Sequence, residues 1–129
     1  MLSGIGLTVR DAGEGLAPRF DFNRDGRDDV VWGGGASGLG AIWEMNGTTL
    51  AGSALIPSVS APGWTIAGQG DFNGDGRADI LWRNTITGDN AIWLMDGFML
   101  TSSALIPSVS TAWVIAGVGD FDGDGKADI

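Results

Sequence analysis

Three nine-residue stretches constrain this chain more than anything else in it: 21–29 (DFNRDGRDD), 71–79 (DFNGDGRAD) and 120–128 (DFDGDGKAD). Each places oxygen side chains at its first, third, fifth and ninth positions: Asp21, Asn23, Asp25 and Asp29; Asp71, Asn73, Asp75 and Asp79; Asp120, Asp122, Asp124 and Asp128. Alternating oxygens in a tight loop converge on one point. A glycine at the sixth position permits the sharp turn, and the carbonyl at the seventh can add a donor. Hard oxygens in that number suit Ca²⁺, which takes about six to eight of them. Mg²⁺ asks for a stricter octahedron and keeps its waters. The alternative is a set of metal-free Asp/Gly turns, in which clustered carboxylates repel one another.

The loop departs from an EF-hand after its glycine. An EF-hand needs a bidentate glutamate at the twelfth position and flanking helices. Here that position is Trp32 or Trp82, and the residues after each loop (DDVVW, ADILW, ADI) read as strand.

The charge follows from the loops. The chain of 129 residues carries a net charge of −9, and 11 of its 16 acidic residues are aspartates within the three loops. With seven basic residues and no basic stripe, nucleic acid is not an expected partner. The chain has no cysteine and no histidine, so disulfides, thiol chemistry and the commonest general base are excluded. No apolar run reaches membrane-spanning length, so membrane insertion is not expected. Residues 1–15 lack a basic n-region and an apolar core and do not read as a secretory signal.

The chain repeats itself. Residues 41–60 (AIWEMNGTTLAGSALIPSVS) return at 91–110 (AIWLMDGFMLTSSALIPSVS), and 63–76 return at 112–125. A period near 50 residues is that of propeller blades. One unit reads as four strands. Trp64–Ala67 is the first. Asp79–Arg83 follows the loop, with Ile80 and Trp82 on one face. Ala91–Met95 is the third, and Asp96-Gly97 is a hairpin signal. The fourth runs from about Met99 to Val109 and contains Pro107, which removes a ladder donor and marks an outer edge. The expected fold is therefore all-β, with blades of four antiparallel strands. Residues 1–11 read as the outer strand of a preceding blade, 12–60 as one blade, 61–110 as a second, and 111–129 as the start of a third. In the 12–60 unit the first strand is degraded: Glu14 replaces Trp64, and Pro18 replaces Gly68.

Propellers close with about four to eight blades. Either the chain is part of a longer array or copies assemble. In the second case, one copy's strands from Trp113 and another's Ile5–Val9 share a composite blade, giving a homo-oligomer.

DFNGDGRADILW followed by a hairpin and AIWLMDG resembles the FG-GAP/VCBS repeat family, whose calcium-loop blades also occur in integrin α-subunit propellers and some fungal lectins. The resemblance implies a β-propeller with Ca²⁺ in the loop between the first two strands of each blade. The ligands it implies are the twelve loop side chains named above, with the carbonyls of Arg27, Arg77 and Lys126 added.

Ca²⁺ in such loops ties one strand to the next, and extracellular modules hold it at roughly 10⁻⁴–10⁻³ M. The expected setting is secreted or cell-surface. The six tryptophans read as packing between blades, with sugar stacking as the sharper alternative. Glu44, in place of Leu94, marks a solvated face or a polar ligand contact. No catalytic set is present, so the chain is not expected to be an enzyme. The expected function is lectin-like or adhesive binding of a glycan or protein. The alternatives are a purely structural repeat of a larger secreted protein and a polysaccharide-degrading enzyme.

Overall fold

A computed structural model describes residues 20–34 and 38–129. The readings of Ile5–Val9 as an outer strand and of Glu14–Pro18 as a degraded first strand lie outside the described residues. Among those described, all regular structure is β. The first sheet holds β1 (Val30–Gly33), β2 (Gly40–Asn46) and β3 (Thr49–Ile56). The second holds β4 (Trp64–Gly70), β5 (Asp79–Asn84), β6 (Asn90–Asp96) and β7 (Met99–Ile106). Both are antiparallel meanders in chain order, so β3 and β7 are outer edges. These are propeller-type blades.

The register sorts the side chains. Trp82 pairs with Ala91 and Ile80 with Trp93, which puts all four on one face of the second sheet. On the first sheet Val31 pairs with Ile42 on the opposite kind of face, the one turned to the second sheet. The core forms where these faces meet: Phe22, Ile42 and Ile56 from the first repeat pack with Ala78, Ile80, Trp82, Ala91 and Met95 from the second. A Cβ on Gly33 would touch Ile66 at 3.5 Å, so β1 approaches β4 closely through its glycine.

Expected boundaries move: β4 runs on to Gly70, three residues past Ala67. The outer strand ends at Ile106, not Val109, because Pro107 cannot extend the ladder; Ile56 and Pro57 repeat this in the first sheet. Residues from Trp113 onward form no ladder. Their one bridge is Gly119 to Asp128, since a strand exists only where a partner strand pairs it.

After each outer edge the chain is clasped to the same blade. The Val59 amide donates to the Gly38 carbonyl at 2.9 Å, and the Val109 amide to Gly88 at 2.9 Å. Both glycines have left-handed φ, and a Cβ on Gly88 would overlap the Val109 carbonyl oxygen. Arg83, buried, completes the second clasp. Its guanidinium donates to the Gly88 and Val109 carbonyls, the Asn90 side chain, and the Ser110 and Trp113 carbonyls.

Gly88→Ala is expected to cost upward of about 2 kcal/mol in urea unfolding, because strain and overlap with backbone add. Gly117→Ala, with open space at its Cβ position, should stay within about 0.5 kcal/mol.

Candidate metal centre

The three loops share one hydrogen-bond frame, built by their aspartates. Asp71 Oδ1 accepts the Gly74 and Asp75 amides at 2.8 and 3.1 Å, and its Oδ2 accepts Gly76 at 2.8 Å. Asp21 does the same with Arg24, Asp25 and Gly26, and Asp120 with Gly123, Asp124 and Gly125. The third-position oxygens of Asn23, Asn73 and Asp122 each accept the amide two residues on. The fifth-position carboxylates Asp25, Asp75 and Asp124 accept the amides of Arg27, Arg77 and Lys126. These short-range bonds fix the turn and aim the remaining lone pairs into it.

The ninth-position aspartate does more than the motif implied. Asp79 is fully buried. Its Oδ2 accepts the Phe72 amide at 3.0 Å, and its Oδ1 accepts the Met95 amide at 2.9 Å. The Met95 amide lies beyond the last β5–β6 pair, so the carboxylate continues the ladder where the strand stops. Asp29 repeats this with Phe22 and Met45. Asp128 holds the Phe121 amide. One side chain thus ties the loop entrance to the third strand of the blade.

The oxygens converge in the second and third loops; at the same spacing the carboxylates of Asp21, Asp25 and Asp29 in the first loop do not. Carboxylate atoms of Asp71, Asp75 and Asp79 lie within 4.8 Å of one another, as do those of Asp120, Asp122, Asp124 and Asp128. An ion with donors at about 2.3–2.6 Å spans opposite ligands about 5 Å apart, so the donor set fits Ca²⁺ in chemistry and in spread. Asn23 and Asn73 put a neutral amide at the third position, where the last loop has Asp122; the first two loops are less charged there. The Arg77 side chain turns to Asp96, whereas the Arg27 guanidinium lies 3.9 Å from the candidate ligand Asp25; a guanidinium has no donor lone pair, so the carbonyls of both are the candidate donors.

Electrostatics mark the strained members. Burial pushes the Asp79 carboxyl up to about 6; amide bonds from Met95 and Phe72 oppose this, and the charges of Asp75 and Asp71 add to it. Burial raises Asp29 as well. The Gly125 amide, foremost, holds Asp120 below the usual carboxylate range.

A profile described as FG-GAP-like repeat matches residues 21–82 and again 71–129. The chain belongs to the FG-GAP-like repeat family. Repeats of this family are typical of extracellular proteins. Among the described residues, no helix is long and apolar enough to cross a membrane. Neither curated proteins nor solved structures yield a match.

The contacts between successive FG-GAP-like repeats were not legible in the motif. The Asp21 carbonyl accepts the Ala78 amide at 2.8 Å, and the Asp71 carbonyl accepts the Ala127 amide at 2.7 Å. The first position of one loop is therefore stitched to the eighth position of the next. Beside the first stitch, Phe22 is fully buried and its carbonyl accepts the Gly97 amide at 3.0 Å. Phe121 holds the same place in the last FG-GAP-like loop and is 72% exposed. A phenylalanine at the second position of every loop was the available signal. Glu44 has an oxygen 3.3 Å from where a Gly52 Cβ would sit, with Phe98 close behind.

Arg24 has a left-handed φ of 65° where the other loops carry Gly74 and Gly123. Arg24→Gly is expected to stabilise the protein by about 1 kcal/mol in chemical denaturation. In chelator, stability should fall as pH rises from about 4 to about 6. Asp79 keeps a proton in the native state that the unfolded chain has released, so the native state binds more protons there and loses ground as both ionise. Thermal melts of Asp79→Asn across that window should show a smaller slope.

Proposed function

We propose that this chain is a calcium-stapled propeller module that presents a recognition surface outside the cell. The observation that carries the reading is the gathered carboxylates of the second and third loops on a hydrogen-bond frame found in all three. Bound Ca²⁺ would neutralise carboxylates that the fold holds together, turning binding free energy into folding free energy. In the second loop Asp71, Asn73, Asp75 and Asp79 would hold it, and the first and third loops repeat the set. Extracellular calcium is the supply that matches roughly millimolar modules.

The recognition part of the reading is lectin-like or adhesive binding, with no catalysis assigned to the chain. Its support is aromatic: Trp32 and Trp43 meet edge to face at 5.1 Å on an open sheet face, at 51% and 37% exposure. Further repeats are proposed to pack on exposed Phe121. In solution a second copy of the chain would provide them.

Titration calorimetry should show Ca²⁺ binding to the chelator-stripped protein, with weak or no Mg²⁺ heat. The melting temperature should rise with calcium, and light scattering should show a discrete oligomer that dissociates in EDTA. No calcium heat and no stabilisation at about 10 mM, roughly tenfold above the weakest extracellular modules, would remove the stapled-module reading.

A further inference from the structure

Two of the chain's five asparagines precede a glycine: Asn46-Gly47 and Asn73-Gly74. Glycine leaves its amide nitrogen uncrowded and its backbone free to turn, so that nitrogen can reach the side-chain carbonyl carbon of the asparagine before it. The two pairs stand in different surroundings. Asn46 is exposed at the end of β2, and among the described residues its side chain has no hydrogen-bond partner. Asn73 is also exposed, but it sits within the frame of the second loop. The Gly74 amide donates to Asp71 Oδ1 at 2.8 Å, and the Asp75 amide donates to the Asn73 side-chain oxygen at 3.3 Å. The proton of the attacking nitrogen already points at a carboxylate, and the carbonyl to be attacked already has a donor for its developing charge.

The third loop shows that the frame accepts the acid in place of the amide. Asp122 stands where the second loop has Asn73, and Gly123 follows it as Gly74 follows Asn73. The same two contacts hold it: the Gly123 amide meets Asp120 Oδ1 at 2.9 Å, and the Asp124 amide meets Asp122 Oδ1 at 3.2 Å. Gly74 and Gly123 share a left-handed φ, 77° and 75°. Exchange of the Asn73 amide for an acid would therefore give the second loop the side-chain set that the third already holds together. The first loop has no such path, because Arg24 follows Asn23 and its side chain crowds the attacking nitrogen.

We propose that Asn73-Gly74 is a self-modifying site, at which the second loop loses an amide and gains a carboxylate. The Gly74 nitrogen attacks the Asn73 side-chain carbonyl carbon while its proton passes to Asp71 Oδ1. The tetrahedral carbon expels ammonia, which leaves with that proton, and a succinimide ring remains. Water then adds to one ring carbonyl and breaks its bond to the Gly74 nitrogen. Opening at the side-chain carbon yields aspartate and the donor set of the third loop. Opening at the main-chain carbon yields isoaspartate, which lengthens the backbone by one atom and carries Asp75 away from its partners. Water is the sole co-reactant, and no metal is needed. Only the sensitivity to calcium rests on the stapled-module reading: an ion held by Asp71 and Asn73 would occupy the lone pairs that the reaction uses.

Chelator-stripped and calcium-loaded protein would be incubated side by side at neutral pH. Peptide mass spectrometry follows amide loss at Asn73, Asn46 and Asn23, and hydroxylamine, which cleaves a succinimide, traps the intermediate as a cut after residue 73. In chelator Asn73 should convert faster than Asn46, and Asn23 should stay intact. Calcium at about ten times its dissociation constant leaves roughly a tenth of the sites empty, so the Asn73 rate should fall about tenfold, with Asn46 unchanged. Asp71→Asn keeps an acceptor and removes the base, and in chelator should bring Asn73 down to the Asn46 rate. Asn73→Gln should stop the reaction, because its ring would need a further member. Asn73→Asp, which carries the aspartyl product, should bind calcium more tightly than the parent in calorimetry. An intact Asn73 in chelator, a rate no higher than that of Asn46, or indifference to Asp71→Asn would each overturn the proposal. Calcium heat without protection of Asn73 would overturn the guarding by calcium. Absence of calcium heat, with Asn73 still converting, would remove the stapled-module reading and uphold the modification.

Discussion

A buried carboxylate that accepts amides from two directions is the interaction on which the blade depends. Asp79 holds the entrance of its own loop through Phe72 and the third strand through Met95. Without it, β6 would carry an amide past the end of its ladder with nothing to receive it, inside a core where water cannot substitute. The same residue closes a ring of like charge with Asp71 and Asp75. The fold and the proposed metal chemistry therefore make opposite demands on one side chain. The fold takes its geometry, and burial opposes its ionisation. A cation at that point, as proposed, would resolve the conflict, because it would favour the charged form that burial penalises.

The repeats were legible because their determinants are local. The aspartate–glycine spacing, the Asp96-Gly97 turn and the alternation of Ile80, Trp82 and Trp93 each depend on neighbours in sequence, and each appears in the structure as a turn, a hairpin or a buried face. The outer edge also followed from Pro107, though three residues too long, since proline ends the strand before itself. What sequence did not yield is nonlocal. The Asp21–Ala78 and Asp71–Ala127 stitches join backbone atoms, which every residue type possesses, so no side chain announces them. Arg83 reads as an ordinary charged residue on a strand. Its burial among five acceptors emerges only when the connection through Val109, Ser110 and Trp113 folds back over it.

Trp82 and Trp32 show how position converts one residue type into two roles. They occupy the same place in the repeat, yet Trp82 is 2% exposed and Trp32 is 51%. The difference lies in the neighbour that faces them. Core packing and an open aromatic surface are thus two states of one site, set by whether another repeat lies alongside.

The second loop carries both plug and socket: its Asp71 carbonyl reaches forward to Ala127, and its Ala78 amide receives Asp21. The loop that offers a phenylalanine and a carbonyl forward also carries, at its eighth position, the amide that receives the loop behind. A gene segment of about 50 codons therefore encodes a seam that is already matched to itself. Duplication of that segment lengthens the array without any compensating mutation, and deletion shortens it just as cleanly.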